Sequence, residues 1–257
     1  MGGTYKAGDH VLLVDRKRRR YLVTLQPGAE FHSHTGVVAH DEIIGCENGA
    51  AVKSSRGSVF DTFRPTLAEF VLKMPRGAQV IYPKDLGPIL MLADVHPGVK
   101  VFESGVGSGA LSMALLRAGA QVTGYEIRED FAVRARTNVA AMLGEDALGG
   151  YQVQIRDAYG GIEETNLDRV ILDLPEPWQV VPHAARALHS GGIILAYTPS
   201  VIQASRFREA LDEYGFGLAE TVEVLHRSWH IDGAAVRPDH RMVAHTGFVS
   251  HARLLGL

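Results

Sequence analysis

The chain has 257 residues, 46% of them hydrophobic and 21% charged, with net charge −3, 28 glycines, 11 prolines and one cysteine. That length implies one large domain with a smaller appended unit, and the composition excludes global disorder and a collagen-like repeat. The lone Cys46 forms no intrachain disulfide and builds no multi-cysteine zinc cage, which points to a reducing, cytoplasmic home. The first ten residues lack the apolar run of a signal peptide, and Lys6 stands where a myristoylation site needs Ser or Thr. No apolar stretch approaches the ~18 residues of a membrane span, so a soluble protein is expected.

Residues 1–64 carry short strand-like runs at Val11–Val14, Tyr21–Leu25, Val37–Ala39, Ala50–Lys53 and Ser58–Thr62, parted by turn residues, and predict a small all-β domain. Charge is uneven: residues 1–90 hold twelve basic and nine acidic side chains, while the remainder is net acidic. The basic excess centres on Arg16, Lys17, Arg18, Arg19 and Arg20, which is either a solvated turn or a contact for nucleic-acid phosphates. From Pro65 the apolar spacing of Leu67, Phe70, Val71 and Met74 predicts a helix ending before Pro75, within a connecting segment 65–94.

Beyond residue 95, strand-like runs alternate with helical patterns. The predicted strands are Val99–Glu103, Gln121–Glu126, Tyr151–Arg156, Arg169–Asp173 and Ile193–Thr198; the predicted helices are Ala110–Ala118, Asp130–Leu143, Val180–Leu188 and Ile202–Tyr214. Such alternation predicts an α/β, Rossmann-like, mostly parallel sheet, with Glu220–Leu225 and Thr246–Ser250 as an antiparallel edge.

The first strand-to-helix turn reads Glu103-Ser104-Gly105-Val106-Gly107-Ser108-Gly109-Ala110-Leu111. Its glycines allow a tight turn and a close backbone approach to a ligand at a helix N-terminus. With Glu126 placed 21 residues after Gly105, the loop also satisfies a relaxed dinucleotide pattern, so a nicotinamide-dependent oxidoreductase stays open. Three features favour a methyl donor instead. These are the acid-plus-three-glycine spacing from Glu103 to Gly109, Asp157 after the third strand, and Asp173 entering the Pro-rich turn Leu174-Pro175-Glu176-Pro177-Trp178.

Taken with Tyr82-Pro83-Lys84-Asp85, Tyr125-Glu126, Tyr197-Thr198-Pro199-Ser200-Val201-Ile202-Gln203 and His245-Thr246-Gly247-Phe248, the chain resembles the tRNA adenine-N1 methyltransferases that act on T-loop position 58. The resemblance covers nearly the whole chain. It implies a class I, S-adenosylmethionine-dependent methyltransferase domain, tRNA as substrate, and self-association as a homotetramer; methylation of another RNA adenosine is its nearest variant. It also implies that Glu103, Gly105, Gly107, Ser108, Gly109, Leu111, Glu126, Asp157 and Asp173 hold the donor. Asp173 is then expected to accept from the adenine N6 amino group and offset charge arising on the ring, with Tyr82 and Tyr197 clamping the base. Arg16, Arg18, Arg19, Arg20 and Lys84 are expected to contact the RNA. His32, His34 and His40 with Cys46 are of metal-ligand type but lack a close acidic or thiolate cluster, and no metal is expected. No Gly-x-Ser-x-Gly nucleophile motif supports a hydrolase.

Overall fold

A computed structural model describes residues 3–77 and 79–256. It forms two compact units, Met1–Met74 and Pro75–Leu257. In the first unit, strands β1 (His10–Asp15), β2 (Arg20–Thr24), β3 (Glu30–Ser33), β4 (Gly36–Ala39), β5 (Ala51–Lys53) and β6 (Val59–Phe63) precede helix α1 (Leu67–Lys73). An antiparallel sheet runs β2-β1-β6-β5, and β3 pairs with β4 as a separate hairpin. Alternating side chains of β1 and β6 turn Val11, Leu13 and Phe60 into a core closed by Tyr5, Leu25 and Ile43. α1 starts where Thr66 and Glu69 cap each other reciprocally, satisfying N–H groups that the first turn leaves without helical partners. β3 escaped prediction because four residues of alternating exposure carry little apolar signal.

The second unit contains α2 (Pro83–Leu92), β7 (Lys100–Ser104), α3 (Ala110–Arg117), β8 (Gln121–Glu126), α4 (Glu129–Leu143), β9 (Tyr151–Ile155), β10 (Leu167–Leu172), α5 (Val181–Ala187), β11 (Leu188–Thr198), α6 (Val201–Glu213), β12 (Phe216–Glu223), β13 (Trp229–Asp232), β14 (Ala235–Pro238) and β15 (Phe248–Leu254). Its seven-stranded sheet has the order β12-β15-β11-β10-β7-β8-β9. The five strands from β11 to β9 are parallel, and β15 inserts antiparallel between β11 and β12. This is the expected Rossmann-like sheet with its antiparallel edge. The parallel strands are nearly continuous apolar runs, as strands covered on both faces must be: Val170 and Leu172 of β10 and Ile194 and Ala196 of β11 join Phe102 and Phe207 in one core.

The hairpin β13–β14 was not anticipated. It is joined by the two-residue turn Gly233-Ala234, with Gly233 at φ +54°, and leaves Trp229, Ile231 and Val236 exposed. Among the described residues, no helix is long and apolar enough to cross a membrane.

Candidate active site

Strand order decides where ligands can enter. From β7 the chain winds through β8 to β9 on one side, and β10 and β11 lie on the other, so the order reverses between β7 and β10. At such a reversal the loops leaving the two carboxyl ends diverge and open a crevice. The glycine loop leaves β7 there, and Asp173 leaves β10 there. The Asp173 N–H donates to Ser104 O at 2.9 Å, which locks the two strand ends together. Gly105 has φ +85°, and a Cβ on it would lie 2.0 Å from Asp173 O, so only glycine admits this approach. Gly107 at φ +54° and Gly109 at φ +82° keep the loop in left-handed conformations up to the start of α3.

One side of the crevice is a cavity of about 440 Å³ lined by Gly105, Gly107, Glu126, Phe131, Asp173 and Gln203, among others. Glu126, almost wholly buried, accepts from Gly107 N–H at 2.9 Å with one oxygen and from Arg128 N–H at 3.0 Å with the other. A carboxylate offers about four lone-pair sites, so Glu126 can brace the loop and still accept from a ligand hydroxyl. A smaller cavity under the loop is lined by Ser108, Ala110 and Leu111 together with Gly105, Gly107 and Asp173. Ser108 Oγ is buried there without a hydrogen-bond partner among the described residues, the condition of a hydroxyl kept for a ligand. Glu103 lies deeper. It is fully buried, Oε2 accepts from Ser112 Oγ at 2.7 Å, Oε1 is unpartnered among the described residues, and burial pushes its carboxyl up to about 8.

The other side is a cavity of about 470 Å³ lined by Tyr82, Asp173, Tyr197, Pro199, His245 and Thr246, among others. Asp173, Tyr82 and Tyr197, expected together from sequence, therefore share one wall-lined space. Asp173 lines all three cavities. Asp173 is partly buried, and desolvation raises its carboxyl to about 7. Burial likewise pushes the Tyr197 hydroxyl above its ordinary value. Gln79, Gln203, His245 and Thr246 also line these cavities and were not expected as site residues: Gln203, His245 and Thr246 lie in motifs that carry the family resemblance without a role assigned to them, and Gln79 has no local signal. His245 Nδ1 lies 2.7 Å from Glu223 and Nε2 lies 3.0 Å from Pro199 O. Both partners accept, so the protonated ring can donate to each, and the Glu223 carboxylate raises its pKa.

Other expected residues are placed elsewhere. Asp157 stands at the end of β9, as the alternation implied, but accepts from Tyr159 N–H and lines a separate cavity with Ile155 and Gly160 rather than the one beside the glycines. Lys84, expected on RNA, is turned inward with its side chain only 5% exposed; its ammonium donates to Asp85 Oδ1 at 2.7 Å and Val224 O at 2.6 Å. In the first unit the basic run forms the turn between β1 and β2. Arg19 pairs with Asp15 and Arg20 with Glu69, while Arg16 and Arg18 are exposed, with Arg18 at φ +60°. His32 faces Glu30, His34 accepts from Arg19, and His40 accepts from Gln26 N–H. Among the described residues, no group of three or more His, Cys, Asp or Glu side chains is placed to hold a metal ion.

Comparison with known proteins adds the family. Residues 61–242 match the family described as tRNA methyltransferase complex GCD14 subunit, and residues 3–52 match the TrmI-like N-terminal domain. The chain is 36% identical over 242 residues to a tRNA (adenine(58)-N(1))-methyltransferase TrmI of Thermus thermophilus, covering 93% of this chain and 94% of that protein. It is 35% identical over 270 residues to the Methanocaldococcus jannaschii enzyme named for adenines 57 and 58, covering 95% and 94%. Among solved structures, a Thermotoga maritima protein described as an S-adenosylmethionine-dependent O-methyltransferase superposes with TM-score 0.94 at 32% identity, covering 99% of this chain and 96% of that one. The tRNA (m1A58) methyltransferase TrmI of Aquifex aeolicus superposes with TM-score 0.87 at 28% identity, covering 99% and 100%. The nicotinamide alternative finds no support in these relatives, and the glycine cradle, Glu126 and the free Ser108 hydroxyl suit a nucleoside-bearing methyl donor. The chain belongs to the GCD14/TrmI family of S-adenosylmethionine-dependent tRNA (adenine-N1) methyltransferases.

Proposed function

We propose that the protein methylates N1 of adenosine 58 in the T-loop of tRNA, as the Thermus relative is named to do, and that Asp173 is its central catalytic residue. One observation carries this: Asp173 lines both the glycine-lined cavity and the Tyr82–Tyr197 cavity, so a single residue borders the proposed donor space and the proposed acceptor space. When bound, S-adenosylmethionine supplies an electrophilic methyl group on a sulfonium. Glu126, the loop N–H groups and Ser108 would hold it.

The adenine must leave its stack to expose N1, and Tyr82 and Tyr197 offer ring faces or hydroxyls to receive it. The Asp173 carboxylate accepts from the N6 amino group and fixes the base edge. As the N1 lone pair takes the methyl and its bond to sulfur breaks, the ring gains positive charge, which a fixed carboxylate in a poorly solvated cavity offsets more strongly than water does. The side chain must therefore work ionised, although its burial favours the acid.

The basic turn, with Arg16 and Arg18 unpaired among the described residues, is the proposed phosphate contact of the first unit. Asp157 keeps its proposed place near the adenine of the donor on strand position alone. Self-association as a homotetramer and a cytoplasmic location belong to the same proposal; the apolar Trp229, Ile231 and Val236 exposed on the hairpin support self-association.

Single-turnover methyl transfer at saturating donor and tRNA tests the central role. Asp173→Ala should lower the rate roughly 10²–10³-fold, and Asp173→Asn, which still accepts a hydrogen bond but carries no charge, should recover little of it. A near-wild-type rate in the Ala variant would remove Asp173 from the chemistry.

A further inference from the structure

Asp85 is completely buried, and neither the glycine loop nor the base chemistry uses it. Its Oδ1 accepts from Lys84 Nζ at 2.7 Å; its Oδ2 accepts from Thr246 Oγ1 at 2.6 Å and lies 3.4 Å from the Tyr197 hydroxyl. Lys84 also donates to Val224 O at 2.6 Å. One carboxylate thus joins the first turn of α2, the end of β11 and the segment entering β15, and through Lys84 it reaches the segment leaving β12. Tyr82, Tyr197, His245 and Thr246, four walls of the acceptor cavity, stand on or beside those segments. The opposite side of Tyr197 is equally constrained: a Cβ on Gly247 would come within 2.5 Å of its ring, so the ring lies directly against that backbone.

Desolvating a carboxylate and an ammonium together is costly, and an apolar pair of the same size would hold a fold at least as well. What the ion pair adds is direction, because a buried carboxylate with three donors aimed at it fixes all three. We propose that Asp85 is a positioning residue that sets the ring of Tyr197 against the incoming adenine, with Lys84 as its counter-ion rather than as a contact to RNA. The inference rests on the methyl-transfer function proposed above. Misplacing a base-contacting ring by about 1 Å is enough to cost on the order of 10²-fold in rate.

The test is a cycle of Asp85→Asn and Tyr197→Phe, read by single-turnover methyl transfer and by calorimetric donor affinity. Asp85→Asn should slow transfer about 10–100-fold with donor affinity within about twofold, and in the Tyr197→Phe background the same change should cost less than about threefold. Equal costs in both backgrounds, or donor affinity falling in step with the rate, would overturn the proposal. If Asp85→Asn does not fold, Thr246→Val takes its place in the same cycle, since it removes a donor from Oδ2 without stranding a charge. A crystal structure of the soluble variant gives a readout independent of activity: the Tyr197 ring should be displaced, and an undisturbed ring would overturn the proposal even if the rate fell. Absence of transfer by the wild-type protein would instead count against the parent function, leaving the ring displacement to decide the role of Asp85.

Discussion

Replacing Asp173 by Asn should stabilise the donor-free protein, and by more at pH 8 than at pH 5. The carboxyl sits at about 7 in the folded chain, because burial disfavours its charge, against 3.8 in an open one. An acid raised on folding opposes the fold. The penalty is absent below the unfolded value, where both states hold the proton; it grows as pH rises through the interval and is complete above the folded value. The gap is about three pH units at ~1.4 kcal/mol each, so the full penalty is roughly 4 kcal/mol at pH 8 and about 1–2 kcal/mol at pH 5. Asn fills the same space without a charge but desolvates an amide, so the observed gain should be about 1–4 kcal/mol at pH 8 and shrink toward acid. Urea denaturation of donor-free wild type and variant at the two pH values measures it. A variant no more stable than wild type at pH 8, or a gain independent of pH, would refute the claim that Asp173 is held as a costly, desolvated carboxylate for chemistry.

Two further outcomes follow from the geometry. Glu126→Ala removes both a ligand acceptor and the partner of the Gly107 and Arg128 N–H groups; donor affinity measured by calorimetry should fall by ~1–3 kcal/mol, and an unchanged affinity would take Glu126 out of the donor site. Neutralising the exposed Arg16 and Arg18 to Gln should flatten the salt dependence of tRNA binding by up to about two units of slope while donor affinity stays constant, and an unaltered slope would make the turn a solvated one.

The parallel sheet was legible because its signals are local: glycine spacing, β-α alternation and an acid closing an apolar strand all fall within short windows. Those same windows could not show that Asp173 and Gly105 approach closely enough to exclude a side chain, since this depends on β7 and β10 being neighbours. Lys84 is the clearest case. From sequence it was a basic residue beside a site tyrosine; the inward direction comes from its bonds to the buried Asp85 and to the Val224 carbonyl, 140 positions away, which the sequence does not show. The β13–β14 hairpin had a readable turn signal in Gly233, the first residue of its two-residue turn, but its strands expose their apolar residues and so lack the buried alternation that marks a strand.

The central claim is tested most directly by the product itself. Unmodified tRNA should be incubated with the protein and S-adenosylmethionine, digested, and analysed by mass spectrometry for methylated nucleosides, with oligonucleotide mapping of the position. The account predicts 1-methyladenosine at position 58, formed by wild-type protein and nearly abolished in Asp173→Ala. A methyl group on a ribose oxygen, on another base atom or at a different position would contradict it.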